Sequence, residues 1–158
     1  MPIELKTTEY SAWVHSVNFI DDTTNINTWV DWHLVPMSRP LINAPKMKTT
    51  IVDIPGADGQ IDLSTVVSGK PVYNNRTGTI EFMVQNGFKW WADMFSLIMN
   101  ALNGKTMKMV LDNDPEWYYE GLITIDNWKT GDHYSTITIS YDVAPYKRKL
   151  SDPSTKSF

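Results

Sequence analysis

The residue types that most often catalyse reactions or bind metals are few and scattered in this sequence. The three histidines, His15, His33 and His133, lie far apart, and none belongs to an HxH or HExxH pattern. The chain has no cysteine, which excludes thiol catalysis, disulfides and cysteine-based zinc or iron–sulfur sites. It also lacks a GxSxG elbow, a P-loop and a GxGxxG loop. We therefore expect neither an enzyme nor a metal or cofactor site.

Two acidic clusters remain as candidate ion sites. Residues 112–116 (DNDPE) begin like a calcium-binding loop, but the glycine and the glutamate required at its sixth and twelfth positions are absent, so a hairpin turn explains them better. Asp53, Asp58 and Asp62 border a glycine-rich turn and could coordinate an ion or flank a glycosidic bond. Carboxylates in turns usually bond nearby backbone amides instead, which is the interpretation we favour.

Aromatic residues suggest binding. Seven Trp and seven Tyr include two clusters, Trp29 with Trp32 and Trp117 with Tyr118 and Tyr119, which could stack on sugars. Neighbouring residues of a strand point to opposite faces, however, so a cluster in sequence is not a flat platform. Large aromatic side chains with polar groups also suit protein–protein interfaces. A glycan-binding β-sandwich module and an assembly domain both remain open, and we favour assembly.

Composition describes one soluble globular domain. The chain has 158 residues, of which 42% are hydrophobic and 20% charged, enough for a single core. Its net charge of −4 argues against affinity for nucleic-acid phosphates. No apolar stretch approaches the ~20 residues of a membrane helix, and the first residues do not resemble a secretory signal. We expect a protein that is soluble where it is made and does not insert into membranes.

The elements that must position these residues are mainly strands. Period-2 alternation of apolar and polar residues predicts half-buried strands at 79–84, 105–111, 117–125 and 136–143. Their inward residues would be Ile80, Phe82, Val84, Met107, Met109, Leu111, Tyr119, Gly121, Ile123, Ile125, Ile137, Ile139, Tyr141 and Val143.

Turn residues indicate how the strands connect. Residues 113–115 (NDP) predict a hairpin between the second and third strands, and residues 127–132 predict a connection to the fourth. In the first half, residues 48–54 and 61–63 are predicted strands around a turn at 55–59 (PGADG).

One segment predicts a helix. Residues 90–103 place Trp91, Met94, Phe95, Ile98, Ala101 and Leu102 on one apolar stripe, and Asn103-Gly104 gives the C-terminal stop. We expect Trp91, Phe95, Ile98 and Leu102 to pack in the core. The predicted fold is mainly β, an antiparallel β-sandwich with one amphipathic α-helix packed on it.

Several fragments resemble a known family. They are residues 28–40 (TWVDWHLVPMSRP), 52–64 (VDIPGADGQIDLS), 69–82 (GKPVYNNRTGTIEF), the helix that follows 86–89 (NGFK), and 134–147 (YSTITISYDVAPYK). In this order they resemble the distal tail proteins (Dit) of long-tailed phages and related prophages. The resemblance covers roughly residues 27–147 and implies a sandwich similar to the tail-tube fold. We expect a single domain at residues 1–147, followed by a polar C-terminal tail at 148–158.

The resemblance also implies a function. Members of this family form hexameric rings at the tail tip, between the tail tube and the hub or receptor-binding apparatus. The expected partners are therefore further copies of the chain, the tail tube protein and the tail hub protein, with the tape measure and receptor-binding proteins as further candidates. Assembly would take place in the host cytoplasm, and the protein would reside in the virion. DNA would pass through the ring without specific binding.

Two segments are candidates for the subunit interface. These are residues 29–40 and 53–63, because their turn residues and aromatic side chains, which we expect to be exposed, are not explained by the predicted core. The candidate contacts are Trp29, Trp32, Arg39, Pro40, Pro55, Gly56, Asp58 and Gly59. Acidic candidates for the wall of the ring are Asp53, Asp58, Asp62 and Glu81. The basic run at 147–149 is expected in a solvated tail.

Overall fold

The computed structural model describes Leu5 and residues 14–85, 91–131 and 133–158. Within these residues the chain forms eleven strands and one helix. In chain order they are β1 (Val17–Ile20), β2 (Asn25–Asn27), β3 (Leu34–Pro36), β4 (Ile51–Asp53), β5 (Gln60–Asp62), β6 (Arg76–Gln85), α1 (Trp91–Leu102), β7 (Lys105–Leu111), β8 (Trp117–Thr130), β9 (Tyr134–Val143), β10 (Lys147–Lys149) and β11 (Lys156–Ser157).

Nine strands form one antiparallel sheet. Seven follow the order β2-β1-β7-β8-β9-β6-β3, while β10 pairs with the start of β8 and β11 pairs with β10. The long strands β6, β8 and β9 provide its centre, where Ile80 is opposite Ile139 and Ile139 is opposite Ile125. The prediction of a mainly β, antiparallel, sandwich-like fold with one helix is confirmed.

The core lies on one face of this sheet, under α1. The predicted inward side chains of β6, β7 and β9 are all buried there, as are Tyr119 and Ile123 of β8, together with Val17, Phe19 and Leu34 from β1 and β3. Strict alternation makes this possible because a strand with one buried face must place every second residue inward. Ile125 is only partly buried, next to a register shift between Ile125 and Asn127.

The buried stripe of the helix is narrower than predicted. Ile98 and Leu102 are fully buried, as predicted, and Met94 completes the buried stripe. Trp91 and Phe95 are only partly buried, so their assignment to the core is wrong. Their rings pack at the edge, against Trp128 of β8, at centroid distances of 5.3 and 5.0 Å.

The helix ends where the sequence predicts. The backbone amide of Gly104 donates to the carbonyl of Ile123, and its φ of 76° is the left-handed conformation that favours glycine after a helix. The predicted start at Trp90 and the preceding residues 86–89 lie outside the described residues.

One predicted turn is confirmed and another is wrong. The β7–β8 hairpin turns at residues 112–116, as predicted. Residues 127–130, predicted as a connection, instead continue β8 and pair with residues 135–138 of β9. The bulge near Asp126 explains the error, because it breaks the alternation while the backbone pairing continues beyond it.

The C-terminal residues include two short strands, β10 and β11. Arg148 pairs with Tyr118 and Lys149 with Trp117, so the prediction of a solvated basic tail is wrong, and the predicted boundary after residue 147 falls inside β10. Lys147 forms an ion pair with Asp114 at 2.5 Å. Leu150 packs with Ile20, Val110 and Tyr118 in a second small cluster. These residues were predicted to be solvated because of their charge. Backbone pairing, the ion pair and this cluster hold them against the sheet instead.

No helix among the described residues has the length and apolar character needed to cross a bilayer.

Candidate subunit interface

A long two-stranded projection extends beyond the large sheet. Its root is an antiparallel ladder in which Lys48 N donates to Val72 O and Asn74 N donates to Lys46 O, both at 2.8 Å, around a bridge between Met47 and Tyr73. Further out, β4 and β5 form a sheet of their own, in which Val52 lies opposite Ile61. We call residues 46–74 the arm.

The tip of the arm is a tight turn that the sequence builds with glycine. Gly56 and Gly59 both have φ of 84°, a left-handed conformation that other residues rarely adopt. Ala57 N donates to Ile54 O at 3.1 Å within this turn. Asp58 lies between the two glycines and is exposed. The run PGADG therefore reverses the chain and leaves a carboxylate at the tip.

Almost the whole arm is exposed, including its apolar side chains. Between residues 48 and 72, all but Ser64 are exposed. Val67 is 100% exposed and Val66 68%, and the other exposed apolar residues are Ile51, Val52, Ile54, Ile61, Leu63 and Val72. Ile51 and Val52 are neighbours on a strand, so the arm presents apolar side chains on both faces. Exposed apolar side chains concentrated on one segment make the arm the candidate interaction surface.

Hydrogen bonds order the part of the arm that follows β5. Leu63 N donates to Thr50 O and Thr50 N donates to Ser64 Oγ, each at 2.8 Å. The Ser64 hydroxyl and amide both bond to Asp62, which lowers the pKa of that carboxyl. Gly69 N donates to Thr65 O at 2.8 Å across the next turn. Val66 and Val67, which lie within that turn, are therefore presented on a defined scaffold.

The root of the arm is fixed to the large sheet by buried polar groups. Arg76, 6% exposed, donates from Nε to Pro145 O at 2.9 Å and from Nη1 to Asn43 O at 3.4 Å. The Tyr141 hydroxyl accepts a hydrogen bond from Asn43 N at 2.9 Å. Burial raises the pKa of Tyr141. A Cβ at Gly78 would collide with the Tyr141 hydroxyl and the side-chain amide of Asn43, so glycine allows this close approach.

A cleft of about 710 Å³ opens at this root. Its charged lining groups are Lys46 and Lys48, and none of the described residues that line it carries a carboxylate. The other lining residues are Asn43, Ala44, Tyr73, Asn74, Asn75 and Thr77. Asp142 lies at its border, where it accepts a hydrogen bond from the Asn75 amide at 2.9 Å. The cleft is polar and cationic.

The other predicted interface segment is more buried than expected. Trp32 is 4% exposed and belongs to the core, so the expectation that it is exposed is wrong. The side chain of Asn27 accepts hydrogen bonds from the amides of Trp29 and Val30 at 2.9 and 3.0 Å, and this turn directs Trp32 inward. Trp29 is half-buried, with its ring centroid 5.1 Å from that of His33.

The predicted contacts therefore separate into two groups. Pro55, Gly56, Asp58 and Gly59 come together in the exposed tip of the arm. The remaining four lie on the chain before the arm, where Arg39 is exposed, Trp29 half-buried, and Trp32 and Pro40 buried.

The most exposed apolar residues of the arm, Val66 and Val67, were missed. The sequence gives little signal for them, because the two valines are adjacent in a turn and belong to no periodic pattern.

The histidines and acidic clusters take structural positions. His15 Nδ1 bonds to Asp112 at 2.9 Å, and Asp114 pairs with Lys147, so the DNDPE turn is held by a side-chain hydrogen bond and an ion pair. His133 is exposed beside a second cleft of about 470 Å³, which Glu81 also lines. Throughout the described part of the chain, no three His, Asp or Glu residues are grouped as metal ligands.

The second aromatic cluster is packed. Tyr118 and Tyr119 are 3% and 9% exposed, and the Lys147 ammonium lies 5.2 Å from the centroid of the Trp117 ring. These three side chains do not form an open sugar-stacking surface.

Comparison with known proteins identifies a similar fold. No family sequence model and no curated protein sequence matches the chain. Among solved structures, it is similar to the SPP1 Dit (gp 19.1) protein, described as a paradigm of the hub adsorption apparatus in phages that infect Gram-positive bacteria. The TM-score is 0.62 at 12% sequence identity, over 86% of this chain and 52% of that one. The fold is distal tail protein-like. The chain spans about half the length of the Dit chain that it matches.

Proposed function

We propose that this protein is a structural subunit of a phage tail tip, where six copies form a ring between the tail tube and the hub. The observation that carries the proposal is an exposed apolar arm on a domain with a distal tail protein-like fold. A two-stranded hairpin alone is only marginally stable in water. An arm of this length with apolar residues on both faces is best explained by a surface that covers it in the assembly.

A neighbouring copy of the same chain is the proposed partner of the arm. The arm and the surface that receives it are different parts of the molecule, which makes the contact heterologous. Heterologous contacts that close give rings. Trp29 and Arg39 lie on the chain that leads into the arm and are at least partly exposed, and they are proposed to contribute to the same interface.

Burial of the arm would supply a free energy comparable to the cost of association. The exposed fractions of its eight apolar residues amount to about four whole side chains. Their complete burial would contribute about 6–12 kcal/mol per interface. Association costs roughly 4–15 kcal/mol in lost freedom, so the arm offsets much of that cost and further contacts must supply the rest.

The ring would serve as a conduit for DNA and as a connector for other tail proteins. Six chains of net charge −4 give the ring a charge of −24, which disfavours phosphate binding. Asp53, Asp58 and Asp62 lie on the arm and Glu81 on β6, and all four are exposed. The proposed partners are the tail tube protein, the hub protein and, beyond them, the tape measure and receptor-binding proteins. The proposed location is the virion, and the proposed role is not catalytic.

Native mass spectrometry of the purified chain tests the proposal. The expected spectrum contains a species of six copies whose abundance rises with protein concentration. A protein that stays monomeric at its highest soluble concentration, and that binds oligosaccharides, would favour the glycan-binding alternative and overturn the ring.

A further inference from the structure

The arm carries opposite charges at its two ends. Between residues 51 and 63 the only charged side chains are Asp53, Asp58 and Asp62, all exposed. At the root, the cleft is lined by Lys46 and Lys48. The buried guanidinium of Arg76 lies beside it, bonded to the Asn43 carbonyl, and its Nη2 has no hydrogen-bond partner among the described residues. Asp142 borders the cleft, but it is outnumbered by these three cationic groups, so the root is net cationic while the tip is anionic.

These charges are too far apart along the arm to neutralise each other. Asp53 lies five positions beyond Lys48, about 16 Å along an extended strand, and Asp58 lies further out, whereas Asp62, opposite Ile51, is nearer the root. The Debye length is about 8 Å at physiological ionic strength, so the two ends are electrostatically independent. Two tips would repel each other and so would two roots, whereas a tip and a root attract.

We propose that the anionic tip of one subunit docks in the cationic cleft at the root of the next subunit's arm. The occupant of the cleft is thus a second copy of this chain, with Asp53 and Asp58 facing its Lys46 and Lys48. This inference rests on the proposed function, since it names the contact that orders subunits around the ring. The apolar residues of the arm supply the buried area of the interface, and the opposite charges determine that a tip meets a root. Electrostatic complementarity of this kind sets orientation and excludes wrong pairings.

Charge reversal tests the contact. The tip variant is Asp53→Lys with Asp58→Lys, and the root variant is Lys46→Glu with Lys48→Glu. All four side chains are exposed, so the fold should persist, as checked by thermal unfolding. Each variant alone should assemble at least roughly 100-fold more weakly than the natural chain, because like charges then face each other. An equimolar mixture of the two, or the chain that carries all four changes, should recover assembly.

Matched controls change charge elsewhere by the same amount. Glu116→Lys with Asp126→Lys matches the tip variant, and Lys129→Glu with Lys156→Glu matches the root variant, all at exposed positions outside the arm. We expect both controls to assemble like the natural chain. If the tip and root variants also assemble normally while the natural chain forms six-copy rings, the docking contact is wrong and the ring stands.

The mass of the assembly separates the other outcomes. A species of two copies with the same charge dependence would uphold the tip-to-root contact and overturn the ring, because two arms can also exchange around a two-fold axis. A natural chain that does not assemble at all would overturn both.

Discussion

Val66 and Val67 provide the sharpest test of the arm as an interface. In the double variant Val66→Ser/Val67→Ser, two apolar side chains are removed from a turn whose backbone bonds do not depend on them. Because Val66 is 68% and Val67 100% exposed, the folded monomer should lose almost nothing. Surface substitutions of this kind change the free energy of unfolding by about 0.5 kcal/mol or less.

The double substitution should instead weaken association between subunits. Together the two residues expose about 1.7 side-chain equivalents. Full burial of a side chain such as valine contributes about 1.5–3 kcal/mol, and serine retains the Cβ, so each interface should lose about 2–4 kcal/mol. That energy corresponds to roughly 30- to 700-fold weaker association at each of the contacts in the ring.

Sedimentation velocity over a concentration series measures this effect. The control is Leu97→Gln, which changes a 42% exposed apolar residue on α1, outside the arm. We expect the control to match the natural chain and the double variant to shift to monomer. Unchanged assembly of the double variant, with its unfolding temperature also unchanged, would show that the valines face solvent in the assembly and would refute the reasoning.

Three further predictions concern the core, pH and DNA. Ile98→Ala should lower the free energy of unfolding by about 2–5 kcal/mol because Ile98 is fully buried. Phe95→Ala should lower it clearly less because Phe95 is only partly buried. Equal losses in denaturant titrations would contradict the packing of α1. The backbone amides of Thr23 and Thr24 donate hydrogen bonds to the Asp21 carboxylate and lower its pKa from 3.8 to about 2. The ionised carboxylate therefore stabilises the folded state above about pH 4, and this stabilisation is lost as the pH falls towards 2. Asp21→Asn should remove that part of the acid dependence, and superimposable stability profiles from pH 5 to 2 would count against it. Duplex DNA at low salt should show no gel shift with the isolated protein, whereas micromolar, salt-sensitive binding would oppose the conduit role.

The central strands could be predicted from the sequence because each has one buried and one exposed face. Ile137, Ile139 and Tyr141 alternate with polar residues, and burial enforces that pattern. The arm did not follow the same rule. Its turn and strand residues were predicted, but no sequence pattern says that this hairpin extends away from the core.

Other differences have local causes. Trp32 is buried because the Asn27 side chain shapes the preceding turn, a contact that spacing alone does not reveal. Arg148 is in a strand because its backbone pairs with Tyr118, and backbone pairing is independent of side-chain charge. The cationic cleft depends on Lys46 and Lys48 meeting Tyr73 and Asn74 across the arm, a pairing that is long-range in sequence.

Electron cryomicroscopy of the assembled protein tests the central claim most directly. A reconstruction shows both the number of subunits and the position of each arm. The account predicts a closed ring of six subunits, with residues 46–74 of each lying on its neighbour and the PGADG tip in the cleft beside Lys46 and Lys48. Particles in which the arms project into solvent, or in which other surfaces join the subunits, would contradict it.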